Sequence, residues 1–156
     1  MANADKRRRR SKGRAQHSFL ALPHYILRSP EFGRLKPAAV KLLLELAANY
    51  NGANNGDLSA AFSQLRARGW KSSDTLSKAL KALRKDGWII CTREGGKNRC
   101  SLYAVTWWPV DACQGKWLEV APEKAPSHAW KKSDSVVAMR SNVVAGRTND
   151  AESEAP

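Results

Sequence analysis

Residues 72–87 combine apolar, hydroxyl and basic side chains at regular spacing. Apolar residues recur there at helical spacing and predict a helix with one buried face: Leu76, Ala79, Leu80 and Leu83. The opposite face is polar and mostly basic, with Asp74, Lys78, Lys81 and Lys85. Hydroxyl side chains flank that face near the N-terminal end at Ser73, Thr75 and Ser77, where Ser72 or Ser73 caps the helix.

Two chemistries suit this face. Lys78 and Ser77, near the start of the helix, are placed to reach base edges in the major groove of DNA, whereas Lys81 and Lys85 suit phosphate contacts. The alternative is a solvated charged face on which Asp74 and Lys78 form only an i, i+4 ion pair. The sequence therefore predicts a DNA contact surface, with the individual roles left open.

A second basic group lies in a predicted β-hairpin over residues 88–107. Gly95-Gly96 is a two-residue turn signal, and a turn there pairs Ile89 with Leu102 and Cys91 with Cys100. The basic side chains beside it are Arg93, Lys97 and Arg99. They suit backbone contacts to DNA, or they only keep an exposed hairpin soluble.

The N-terminal segment 1–18 is a predicted disordered arm with seven basic residues and one acidic residue, among them Arg7, Arg8, Arg9 and Arg10. It should attract phosphate without regard to sequence, although a nuclear localisation signal has a similar composition. The whole chain of 156 residues has a net charge of +13. Such charge indicates a polyanionic partner, with double-stranded DNA favoured over an anionic membrane.

No apolar run is long enough to cross a membrane, and no apolar segment follows the basic N-terminus as in a signal peptide. A cytoplasmic protein at the nucleoid is therefore expected, and the odd count of three cysteines argues against a disulfide framework. Cys91, Cys100, Cys113 and His128 would be the candidate zinc ligands, but they lack close C-x-x-C spacing. His17 and His24 have no nucleophile or carboxylate partner at motif spacing, so we expect no enzymatic activity. We also expect no metal and no cofactor.

Three helices must position these groups. "PAAVKLLLELAANY" predicts the first, with Val40, Leu43, Leu44 and Ala47 inward, and "SAAFSQLRARGW" predicts a shorter second one ending at Gly69. The stretch between them, "NYNGANNGDL", contains four asparagines and two glycines, residues that tolerate positive φ. It predicts sharp turns leading into a short strand at Asp57-Leu58. A phosphate contact by Asn54 or Asn55 is the alternative role.

Both ends of the domain carry further segments. Pro23 and Pro30 begin short helices, the second capped by Ser29. Residues 111–132 are predicted to be an extended segment that packs on the domain through Trp117 and Trp130. Residues 133–156 are a predicted disordered tail. Trp117, Trp130 or the tail could also bind a protein partner.

The order of elements resembles a winged helix-turn-helix domain. Residues 19–110 are similar to winged-helix proteins of bacterial phages and mobile elements in "SPEFGRLKPAAVKLLLEL", "YNGANNGDL", "GWKSSDTLSKALKALRKDGWI" and "SLYAVTW". The resemblance implies an α+β, mainly α fold, with a three-helix core and a hairpin wing that is short here. It also implies sequence-specific binding of double-stranded DNA.

Three functions are consistent with this interpretation of the sequence. The first is a transcriptional regulator of a phage or mobile element, with a homodimer as one possible state. The second is a replication initiation or origin-binding accessory protein. The third is a protein-interaction module built on a winged helix, with its charge only holding it near DNA.

Deleting residues 1–18 should weaken binding to all DNA sequences alike and reduce its salt dependence, because fewer counterions are then released. Titrations of specific and random duplexes at several salt concentrations measure both effects. A change in sequence preference as large as the change in affinity would show instead that the arm reads bases.

Overall fold

The computed structural model describes residues 19–131. The elements in chain order are helices α1 (His24–Leu27), α2 (Pro30–Gly33) and α3 (Pro37–Ala48), strand β1 (Leu58–Ser59), helices α4 (Phe62–Arg66) and α5 (Ser73–Lys85), strands β2 (Ile89–Arg93) and β3 (Leu102–Val105), and a 3₁₀ turn at Ala129–Lys131. The predicted arm with Arg7 to Arg10 and the predicted tail 133–156 lie outside the described residues. The fold is α+β, with five α-helices and one antiparallel sheet.

Helices α2, α3 and α5 begin where the sequence signals them, whereas α1 begins one residue after Pro23 and α4 spans only Phe62–Arg66, short of the predicted end at Gly69. Ser29 caps α2 by accepting a hydrogen bond from Phe32 N (3.2 Å), and Ser72 caps α5 by accepting one from Thr75 N (3.3 Å). Pro30 and Pro37 occupy first helical turns, where the missing N–H costs nothing. These signals are local, and each one is used as predicted.

Helices α3 and α5 pack against each other and on the sheet. The buried stripe of α5 is the predicted one, with Leu76, Ala79 and Leu83 buried and Leu80 half-buried. In α3 the prediction was partly wrong: the buried residues are Ala39, Leu42, Leu43, Leu46 and Ala47. Leu44 is 36% exposed. Since α3 is apolar around most of its circumference, its neighbours and not its period decide which face is buried.

The three strands lie in the order β1-β3-β2. Strand β1 pairs with β3 through Leu58 and Tyr103, so the predicted short strand is present one residue later than expected. The predicted hairpin register was wrong, because Ile89 pairs with Val105 and Cys91 with Tyr103.

Two irregularities explain the different register. A β-bulge interrupts the pairing between Cys91 and Arg93. The turn is formed by Lys97 and Asn98, flanked by the Gly96–Arg99 bridge, and Asn98 adopts the left-handed conformation at φ 61°. Asparagine tolerates that conformation, so the chain turns two residues beyond the Gly95-Gly96 signal.

The Asn/Gly loop between α3 and β1 contains a fully buried asparagine. The Asn55 side-chain amide donates hydrogen bonds to the carbonyls of Val105 (2.9 Å), Trp108 (3.1 Å) and Pro109 (2.9 Å), and its oxygen accepts one from Val105 N (2.8 Å). The Asn55 backbone also exchanges two hydrogen bonds of 2.8 Å with Asp111. The loop is therefore bound to the end of β3 and to the segment that follows.

This geometry corrects the alternative role of the loop. Asn55 is 0% exposed and therefore does not contact a phosphate. The Asn54 side chain accepts from Asn51 N (2.8 Å) and donates to Asn49 O (3.0 Å), so it stabilises the turn itself.

Residues 111–131 run back over the domain. Backbone hydrogen bonds attach Glu119 to Thr92 (2.7 Å) and His128 to Thr106 (2.9 Å). Trp130 is buried and stacks on Trp88, with ring centroids 4.8 Å apart and planes 6° apart. Trp117 is not an anchor, contrary to expectation, because it is 79% exposed.

Trp130→Ala should destabilise the protein by about 3–5 kcal/mol, since it removes a large buried ring and leaves a cavity beside Trp88. Trp117→Ala is the matched control and should change stability by less than about 0.5 kcal/mol. Urea unfolding of both variants measures the difference. Equal losses would mean that Trp130 does not anchor the segment.

Asn55→Asp should cost about 3–5 kcal/mol at neutral pH, because it places a carboxylate against three carbonyl oxygens. Such burial raises the pKa of the new carboxyl in the folded state. The loss should therefore shrink as pH falls through that raised pKa, since the folded state then binds the proton more tightly than the unfolded one.

The control is Asn51→Asp, whose side-chain oxygen accepts from Ala53 N in an exposed turn. An aspartate keeps that acceptor, so unfolding at several pH values should give nearly wild-type stability. If the two variants lost the same stability at neutral pH, the network around Asn55 would not constrain the fold.

Candidate nucleic-acid interface

The outward face of α5 presents the predicted basic residues to solvent. Every α5 residue predicted to contact DNA has an exposed side chain. These residues are Ser73, Thr75, Ser77, Lys78, Lys81 and Lys85. Lys78 forms an ion pair of 2.7 Å with Asp74, in which the two side chains are 76% and 69% exposed. Within residues 19–131, neither Lys81 nor Lys85 forms an ion pair closer than 4 Å.

A group of contacts between α3 and the turn before α5 fixes where α5 starts. Trp70 is buried, and its indole N–H donates to Glu45 Oε2 (2.6 Å). Lys41 pairs with Glu45, donates to Arg68 O (3.0 Å) and lies 5.0 Å from the centroid of the Trp70 ring. These contacts hold the α4–α5 turn against α3 and so set the direction in which the N-terminal end of α5 emerges.

The three predicted hairpin residues occupy different environments. Lys97 lies exposed in the turn itself. Arg99 is exposed and lies 3.7 Å from Glu119. Arg93 is half-buried and donates to Cys100 O (3.2 Å), so its guanidinium supports the irregular part of the hairpin. Of the three, Lys97 is the best placed to reach a phosphate.

An ion pair joins the end of α5 to the hairpin. Arg84 Nη2 lies 2.8 Å from Glu94 Oε1, and both groups are largely exposed. This hydrogen bond raises the pKa of Arg84 and holds the pKa of Glu94 below its usual value. Both groups stay charged near neutral pH, so the ion pair persists there as a surface contact between helix and hairpin.

Three further basic residues were missed from the sequence. Arg34 and Lys36 line an open groove of about 390 Å³ together with Thr75 and Lys78 of α5. Lys71 is exposed immediately before the Ser72 cap. No helical period marks Arg34 or Lys36, whereas the position of Lys71 beside the cap was a usable signal.

The cysteines are free thiols in three environments: Cys91 is half-buried, Cys100 exposed and Cys113 buried. Burial raises the pKa of the Cys91 and Cys113 thiols, so both stay protonated near neutral pH. Among residues 19–131, no group of three or more His, Cys, Asp or Glu side chains is placed to hold a metal ion. In the same part of the chain, no helix is both long and apolar enough to cross a membrane.

Comparison of the chain with known protein families, curated proteins and solved structures finds no match.

Proposed function

We propose that this protein binds double-stranded DNA sequence-specifically through a winged helix-turn-helix domain and regulates transcription in a phage or mobile element. The observation that carries the proposal is the outward face of α5, where Lys78, Lys81 and Lys85 are exposed opposite a buried apolar stripe. A helix so arranged has one face for the core and one basic face for the major groove.

The arrangement of elements supports the same proposal. Helices α3, α4 and α5 form the three-helix core, and the β2–β3 hairpin is the wing, with β1 completing the sheet beside β3. Helix α4 and the turn that Trp70 attaches to α3 precede the recognition helix α5. The Arg84–Glu94 pair is a surface contact between the wing and that helix.

The basic groups divide by role. Lys78 and Ser77 near the start of α5 read base edges, whereas Lys81 and Lys85 contact phosphates. Lys97 at the wing tip and Arg7 to Arg10 in the N-terminal segment add phosphate attraction that is independent of sequence. Arg34, Lys36 and Lys71 extend the phosphate-binding surface around the N-terminal half of α5.

Transcription control and origin binding use the same DNA-binding surface. Footprinting on the DNA upstream of the protein's own gene tests the first, because a self-regulating protein protects a site that overlaps its promoter. Protection confined to a replication origin would favour the replication role. One protected half-site would indicate a monomer, and two symmetric half-sites a homodimer.

A protein partner is the second candidate function, and the exposure of Trp117 favours it. Trp130 is only 2% exposed and is ruled out as a contact. DNA binding that depended only on residues 1–18, and not on α5, would favour this function over the first.

Lys78→Ala should weaken binding to the preferred duplex by about 1–3 kcal/mol and to random DNA much less, because its ammonium reads a base edge. Lys85→Ala is the matched comparison two turns further along the same face. Its loss should weaken binding to both duplexes equally, as for a phosphate contact.

Titrations of both variants against specific and scrambled duplexes at one salt concentration distinguish the roles. Equal losses on the two duplexes for Lys78→Ala would remove Lys78 from the base-reading residues. If neither variant bound DNA more weakly than the wild type, α5 would not enter the major groove of the DNA.

A further inference from the structure

Asp74 is the only acidic residue within the recognition helix. Its carboxylate is 69% exposed on the outward face and lies 2.7 Å from the Lys78 ammonium. A carboxylate on a surface that approaches DNA is repelled by every phosphate nearby. Asp74 therefore opposes binding at any site where it gains no hydrogen bond from the DNA.

The hydrogen-bond donors available in the major groove are few. Cytosine N4 and adenine N6 are the two amino groups that base pairs present there, so they are the groups from which a carboxylate can accept. Lys78 is a donor only and needs the acceptors guanine O6 and N7, adenine N7 or thymine O4. The ion pair thus presents one acceptor beside one donor.

The spacing within the ion pair matches the edge of a base pair. In a G·C pair, O6 and N4 are hydrogen-bonded to each other and lie about 2.9 Å apart, close to the 2.7 Å between Asp74 Oδ2 and Lys78 Nζ. Guanine N7 and O6 are adjacent, so one ammonium reaches both acceptors. In an A·T pair the amino group separates the two acceptors, and one ammonium reaches only one of them.

Resting on the proposed function, we infer that Asp74 and Lys78 together read a single G·C base pair. Asp74 accepts from cytosine N4 while Lys78 donates to guanine O6 and N7. The ion pair of the free protein already places the acceptor of Asp74 beside the donor of Lys78 before DNA binds. Asp74 is thus a specificity-determining residue that lowers affinity for other sequences.

Selection from a pool of duplexes with a randomised core tests the inference on the full chain. The wild type should enrich G·C at one position by about tenfold over A·T, in line with the discrimination of a good base contact. Asp74→Ala should bind bulk random DNA more tightly. It should weaken the G·C preference without abolishing it, because Lys78 still donates to guanine, and it should keep the other preferences. Asp74→Asn should shift the same position toward A·T, because an amide pairs with adenine N6 and N7.

Asp86→Asn is the matched control. Asp86 is exposed and caps the C-terminal end of α5, so the change removes one negative charge far from the N-terminal end that carries Asp74. It should strengthen binding to all sequences alike and leave every base preference unchanged. Circular dichroism of each variant verifies that the helix is intact.

Two outcomes would overturn the inference, and they are distinguishable. If Asp74→Asn and Asp74→Ala behaved as Asp86→Asn does, the ion pair would only stabilise the helix, while the proposed function would stand. If the wild type enriched no base at any position, sequence-specific binding itself would fail, and the inference with it.

Discussion

The constraint on which the domain depends most is the burial of Asn55. Its amide group joins the loop after α3 to three carbonyls at the end of β3 and beyond, and its backbone joins the loop to Asp111. A buried amide needs these partners, because an unsatisfied one costs more than the hydrogen bonds gain. The network brings β1 beside β3, and the sheet in turn supports the α3–α5 pair that presents the basic face.

The sequence predicted local features well and long-range pairing poorly. Caps at Ser29 and Ser72 and the stripe of α5 follow from nearby residues. The hairpin register did not, because β3 is buried at all four positions and offers no alternation to choose between pairings. The bulge after Cys91 and the left-handed Asn98 set the observed register. Matching apolar residues with apolar residues favoured neither this register nor the predicted one, so it could not choose between them.

The candidate interface divides in the same way. The exposure of Lys78, Lys81 and Lys85 follows from helical period alone. The half-burial of Arg93 and the groove that brings Arg34 and Lys36 beside Thr75 depend on how separate elements meet. The two tryptophans show the same limit, because composition made Trp117 and Trp130 equivalent whereas packing buries only Trp130.

The most direct test of the account is a nuclear magnetic resonance titration of the isotope-labelled full chain with a duplex recovered by selection. The claim that α5 enters the groove predicts that the largest amide shift changes fall on residues 73–85 and on Lys97, while the buried indole of Trp130 is unaffected. Changes confined to residues 1–18, or centred on Trp117 with residues 73–85 unaltered, would contradict it.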